Sequence, residues 1–266
     1  MLYKSTRGSS KEVPFSEVLL GGLAPDGGLY MPDHFPFMTL EEINQMETLE
    51  FHELASKILF PFVVGEITEA EFLNLVRDTY SAFNNKNVVN LVEIEREKWI
   101  LELFHGPTLA FKDVAMQLLG ALLDYFSQKQ GKRIAVLGAT SGDTGAAAIS
   151  ACSRYSNVDV FILYPHGRVT EVQRRQMTTS EAKNVHALAV ETDFDGCQAM
   201  VKDIFMDDSV SKEEIRLVAA NSINWTRCMT QSVYFFWSYL RLKNITTRLS
   251  FSIPSGNFGH AYAGWI

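Results

Sequence analysis

The hydrophobic pattern along the chain changes rhythm near Lys98. From there on, short apolar runs alternate with longer amphipathic ones. Trp99 to Phe104 reads as an apolar strand, and Leu118, Leu119, Leu122 and Phe126 put one apolar face on a helix starting near Asp113. Arg133 to Gly138 reads as a buried strand, followed by a glycine-rich turn and an alanine-rich helix. Val158 to Tyr164, Val185 to Glu191, Leu217 to Ala220 and Leu249 to Ile253 read as further strands. Val169 to Thr178, Cys197 to Phe205 and Met229 to Leu242 read as further helices. Strands alternating with helices of this length predict an α/β fold with a largely parallel sheet flanked by helices. Ligands of such sheets bind in the loops that leave the carboxyl ends of strands.

The segment before Lys98 is less regular. Gly21-Gly22 and Pro25-Asp26-Gly27-Gly28 are turn signals. Thr39-x-x-Glu42 and Thr68-x-x-Glu71 each have the form of a capping box that opens a helix. This predicts a mainly helical N-terminal region, closed by the polar break Asn84-Asn85-Lys86-Asn87. The expected division is 1–95 for that region, 96–210 for an α/β domain and 211–266 for the start of a second α/β domain. Gly256-Asn257-Phe258-Gly259 opens a new helix, yet the sequence stops at Ile266. The expectation is an incomplete domain, as in a fragment of a longer protein.

Composition narrows the chemistry. A chain of 266 residues with 47% hydrophobic and 21% charged residues is ordinary for a globular protein with a sizeable core. A net charge of -7 argues against general attraction to nucleic acid, so an anionic ligand needs a locally positive or amide-lined pocket. Cys152, Cys197 and Cys228 form no C-x-x-C pair, which argues against a disulfide framework or a structural zinc site. His34, His52, His166, His186 and His260 lack metal-ligand spacing, and no metal is expected. Neither a secretory h-region nor a bilayer-length apolar stretch is present, so a cytoplasmic location away from membranes is expected. No Gly-x-Ser-x-Gly elbow occurs.

Four loops carry candidate chemistry. In the first, His105 to Asp113, Lys112 sits where a helix begins. Partial desolvation and the helix N-terminus both disfavour an ammonium there, as Schiff-base chemistry requires. The plain alternative is a solvated lysine beside a capping Asp113. The second, Gly138 to Gly145, offers Thr140, Ser141, Gly142 and Thr144 as an anion site before an alanine-rich helix. It matches neither the dinucleotide fingerprint nor the Walker loop, and a tight turn of small residues explains it equally well. The third, Pro254 to Gly259, suits a phosphate held on backbone N–H groups. The fourth, Asn221 to Arg227, offers an amide, a hydroxyl and a guanidinium that can clamp an oxyanion; the alternative is a helix cap with a surface arginine. The basic run Arg168 to Arg175 reads as a solvated helix face.

Together these loops are more specific than any one alone. Their order resembles the fold-type II pyridoxal 5′-phosphate (PLP) enzymes, the tryptophan synthase β-like fold, and their wording resembles threonine synthase. His105-Gly106-Pro107-Thr108 through Phe111-Lys112-Asp113 is similar to that family's PLP-lysine motif. Ala139 to Gly145 is similar to its substrate-carboxylate loop, and Asn221-Ser222-x-Asn224 with Arg227 to its substrate-phosphate site. Ser255 to Gly259 is similar to its cofactor-phosphate loop, while Thr6-Arg7-Gly8 and Leu23 to Tyr30 resemble its N-terminal region.

The resemblance implies a PLP-dependent carbon–oxygen lyase that converts O-phospho-L-homoserine and water to L-threonine and phosphate. Lys112 would be catalytic and hold PLP as a Schiff base, with Asp143, Gly256, Asn257, Phe258 and Gly259 completing the cofactor site. Thr140, Ser141, Gly142, Thr144, Asn221, Ser222 and Arg227 would bind substrate. Many fold-type II enzymes have Asn where Asp143 stands, so this carboxyl is expected to be protonated, turned aside or bridged by water near a phenolate. The family also continues well past Ile266, which leaves the partner of the pyridine nitrogen unassigned. Two other readings stay open: a threonine or serine dehydratase of the same fold, and a catalytically silent, truncated threonine synthase-like chain. Oligomeric state is not legible in the sequence.

Overall fold

The computed structural model describes residues 1–207, 215–220, 224–245 and 248–266. Its centre is a four-stranded, all-parallel sheet in the order β7-β6-β5-β8. The strands are β5 (Arg133–Ala139), β6 (Val158–Pro165), β7 (Val185–Val190) and β8 (Ile215–Ala219). Side chains alternate across the sheet with the strand period of two. Ile134 and Val136 of β5 and Val158, Val160 and Ile162 of β6 enter the main core. Leu137 and Leu163 point the other way, into a small cluster with Cys197 and Val201 of α8 (Phe194–Met206).

The main-core face is covered by α5 (Asp113–Gln130), α6 (Asp143–Cys152) and α9 (Trp225–Leu242). Leu118, Leu119, Leu122 and Phe126 of α5 are all buried, as their spacing predicts. Helices α5 and α6 approach closely because Gly120 has no side chain: a Cβ there would lie 2.6 Å from the carbonyl oxygen of Ala151. Gln117 Nε2 then donates to Ser150 Oγ across the same seam at 3.1 Å.

The N-terminal region is mainly helical, with α1 (Phe15–Gly21), α2 (Leu40–Gln45), α3 (Phe51–Val63) and α4 (Glu69–Tyr80). Both expected capping boxes are present, Thr39 with Glu42 and Thr68 with Glu71. A third, Glu50 with Glu53, opens α3 and lacks the Ser/Thr signature. This region shares the main core with the sheet rather than standing apart. Asn224 Nδ2 donates to the Leu19 carbonyl at 2.9 Å, and Arg216 pairs with Glu17 at 2.9 Å. Two short antiparallel pairs also occur: β1 (Tyr3–Ser5) with β2 (Tyr30–Pro32), and β3 (Asn90–Glu95) with β4 (Lys98–Glu102).

Three expectations change. The strand before the Lys112 loop belongs to the β3–β4 hairpin, outside the parallel sheet. Leu249 to Ile253 forms no strand, because a strand needs a hydrogen-bonding neighbour and no ladder partner lies beside it among the described residues. The expected division at 210/211 falls within a continuous sheet, since β8 pairs with β5.

Candidate active site

Lys112 is set by the turn before α5. Leu109 N–H donates to the Gly106 carbonyl at 3.1 Å, and Leu109 takes a left-handed φ of 62°. The buried Asp113 does not merely cap its own helix. Its carboxylate accepts from both the N–H and the hydroxyl of Thr108, each at 2.7 Å, and so ties the loop down. Burial pushes the Asp113 carboxyl above its ordinary range, and these Thr108 bonds offset only part of that. A Cβ on Gly106 would sit 2.4 Å from that of Asp113, so the loop requires glycine there. Lys112 takes the N-cap position with only 20% of its side chain exposed, its Nζ 5.0 Å above the Phe111 ring.

The second loop meets it. Thr140 is buried, and its hydroxyl oxygen accepts from Gly142 N–H and Gly145 N–H, each at 3.0 Å. That hydroxyl shapes the loop's own backbone. At Gly142 φ is 153°, in the region that favours glycine. These constraints start α6 at Asp143, whose Oδ2 lies 3.1 Å from Lys112 Nζ while Oδ1 accepts from Gln173 Nε2. Partial burial pushes the Asp143 carboxyl up. The Gln173 amide and the Lys112 ammonium outweigh that and hold it below its usual range. Asp143 is therefore ionised and turned onto Lys112.

The pairing has a pH signature. A lowered carboxyl stabilises the fold above its ordinary range and stops doing so as pH falls through the lowered value. Asp143→Asn should lower Tm near neutral pH, by a small amount because the site is partly solvated. The gap should close as pH is taken below about 4. Thermal melts of both proteins across that range test this, and a gap that persists unchanged in acid would refute the ionic pairing.

Lys112 opens into a cleft of about 630 Å³ lined also by Thr144, Phe194, Gln198, Arg227, Gln231 and residues Pro254 to His260. Arg227 comes from the first turn of α9, whose N-cap is Asn224. The cap was foreseen, but the guanidinium is buried. Burial lowers it to about 10, and its Nε has no hydrogen-bond partner among the described residues. Pro254 to Phe258 lead into α10 (Gly259–Trp265), with Phe258 in a left-handed φ of 57°. His260 packs on Phe111 at an interplanar angle of 31°, with centroids 4.6 Å apart, its Nε2 donating to the Pro254 carbonyl at 3.3 Å. Burial, with the Lys112 charge adding, pushes this imidazole down and keeps it neutral, despite that contact with Pro254.

Of the expected site residues, Lys112, Thr144, Arg227, Gly256, Asn257, Phe258 and Gly259 all line this cleft. Thr140, Ser141, Gly142 and Asp143 form the adjoining turn, with Ser141 exposed. Asn221 and Ser222 lie outside the described residues. Two residues had been passed over. His260 had been set aside among scattered histidines, and Gln173 lies in the basic run read as a solvated face. Neither carries a local signal, because each acquires its neighbours only through the fold. Among the described residues no group of His, Cys, Asp or Glu is placed to hold a metal. No described helix is long and apolar enough to cross a membrane.

Comparison with known proteins matches both parts of the chain. Residues 2–80 match the family described as threonine synthase N terminus, and residues 90–232 match the pyridoxal-phosphate dependent enzymes. The chain is 52% identical over 266 residues to a threonine synthase of Pseudomonas aeruginosa, a match covering 100% of this chain and 56% of the relative. A solved structure of PLP-bound threonine synthase from Brucella melitensis superposes with a TM-score of 0.93 at 48% identity, covering 100% of this chain and 57% of that one. Threonine synthase from yeast superposes with a TM-score of 0.92 at 42% identity, covering 99% and 55%. The chain thus spans little more than half the length of the relatives it matches.

Proposed function

We propose, on the premise that this chain belongs to the pyridoxal-phosphate dependent enzyme family, that it carries the lysine half of a threonine synthase active site. The reaction is O-phospho-L-homoserine plus water to L-threonine plus phosphate, a carbon–oxygen lyase reaction. One observation carries the reading: the Lys112 amine and the buried Arg227 guanidinium, whose Nη1 donates to the Ala220 carbonyl but whose Nε has no partner among the described residues, open into the same cleft as the Gly256–Gly259 loop.

The cleft's chemistry fits the cofactor. Its volume of about 630 Å³ falls within the range of roughly 300–1,000 Å³ for small-molecule sites. A Cβ on Gly256 or Gly259 would meet nothing within 4 Å, so a phosphate has room to approach that backbone. Lys112 would hold the cofactor, with Asp143 beside it and Gly256, Asn257, Phe258 and Gly259 around its phosphate. When bound, the cofactor supplies an electron sink for negative charge at the substrate α-carbon.

The chain's own residues then have distinct tasks. Lys112, once its amine is free, moves the proton at the α-carbon. Asp143 keeps that amine aimed into the cleft. Ser141 and Thr144, with loop N–H groups, take the substrate carboxylate, whereas Thr140 acts by shaping the loop. Arg227, with Asn221 and Ser222, receives the substrate phosphate, for which a buried guanidinium lacking an anionic partner among the described residues is suited. A dehydratase has no phosphate to hold, so Arg227 favours the synthase reading over that one.

The test is to supply purified protein with PLP and either O-phospho-L-homoserine or L-serine. Equal release of inorganic phosphate and threonine from the former is expected. Ammonia from serine without phosphate release would favour the dehydratase, and neither product would favour the silent chain.

A further inference from the structure

Helix α7 (Glu171–Thr178) touches Asp143 and the loop that leads into Lys112. Gln173 Nε2 donates to Asp143 Oδ1. Gln176, three residues on, donates its Nε2 to the Thr108 carbonyl at 3.1 Å, inside the Lys112 loop. Spacing of three places both amides on one helix face.

Three further features converge on Gln173. The Thr170 hydroxyl donates to Gln173 Oε1 at 2.9 Å, which turns the NH₂ group toward Asp143. A Cβ on Gly142 would lie 2.3 Å from Gln173 Cδ, so the glycine clears the space through which the amide reaches. Met177 is fully buried and packs where Gly145 lacks a side chain, which anchors α7 on α6.

We propose that Gln173 and Gln176 are positioning residues for Lys112: one face of α7 holds Asp143 against the amine and holds the Lys112 loop in register with it. This rests on the reading of Lys112 as the cofactor lysine. The Asp143 side chain is 44% exposed, so its place beside Lys112 depends on its hydrogen-bond partners. Tethering Oδ1 leaves Oδ2 at a fixed place for the amine, and a nucleophile held at a fixed place reacts faster than one that samples several.

The experiment follows PLP uptake by the full chain, in which the Lys112 nitrogen bonds the aldehyde carbon and the oxygen leaves as water. Absorbance gives the rate, and borohydride fixation with peptide mapping gives the position. Gln173→Leu should slow uptake about tenfold, a size typical of outer-shell supports, and Gln173→Glu should slow it further by setting a second carboxylate against Asp143. In an Asp143→Ala background Gln173→Leu should change the rate by less than about twofold, because its effect passes through Asp143. Gln176→Leu should slow uptake in both backgrounds, because it acts on the loop. Uptake by Gln173→Leu and Gln173→Glu at the wild-type rate, or an undiminished loss in the Asp143→Ala background, overturns the proposal. Wild-type protein that takes up no PLP at Lys112 overturns the cofactor-lysine reading on which it rests.

Discussion

Lys112→Ala should abolish the borohydride-fixable uptake of PLP and lower threonine formation by at least about 10³-fold, the combined loss of a covalent anchor and a general base. The substitution removes the only amine in the cleft wall among the described residues. It should leave the fold in place, because the loop is held by the hydrogen bonds between Thr108 and Asp113. Mass spectrometry of borohydride-treated protein reads the outcome directly. A variant that fixes PLP to the same extent as the wild type would place the anchor elsewhere.

The second large effect has opposite signs in two assays. Arg227 is a buried cation without a carboxylate partner among the described residues, and burial lowers its guanidinium to about 10. That depression corresponds to about 3 kcal/mol against the charged form in the empty cleft. Arg227→Met keeps the bulk and removes the charge, so it should raise the Tm of ligand-free protein by several degrees. The same change should weaken binding of inorganic phosphate roughly 100-fold, since a charge-assisted contact is lost. For a base with a lowered folded value, the cost is present in full at neutral pH and fades as pH rises through 10. The Tm gap should therefore narrow in alkali. A lower Tm with unchanged phosphate affinity would mean that Arg227 is structural.

Most of the regular elements from Asp113 onward were legible because their signals are local. The apolar stripe of α5, the alternation in β5 and β6, and the capping boxes at Thr39 and Thr68 all lie within a few residues of what they specify. The Lys112, Gly138–Gly145 and Pro254–Gly259 loops were legible as a set because each follows a fixed wording. What escaped depends on distant partners. Trp99 to Phe104 and Leu249 to Ile253 look like strands of one sheet, and only their hydrogen-bonding neighbours distinguish them. The burial of Arg227 and the contacts of His260 arise from packing between segments far apart in sequence. Gln173 sits among charged residues of an exposed helix, and only the folded chain shows that its amide reaches Asp143 across 30 positions.

The Leu19–Asn224 hydrogen bond has a consequence for how the chain is made. Its two ends are 205 residues apart, and Arg241 reaches back in the same way to the carbonyl of Leu49. During synthesis at about 5–20 residues per second, the N-terminal helices emerge roughly 10 to 40 s before the helix that seals them. Through that interval Phe51 lacks the edge-on cover of Trp237 from α9, and Leu19 lacks the Asn224 bond to its carbonyl. The early part of the nascent chain is therefore expected to be the species that needs chaperone protection, and its final packing is set only after translation has passed α9.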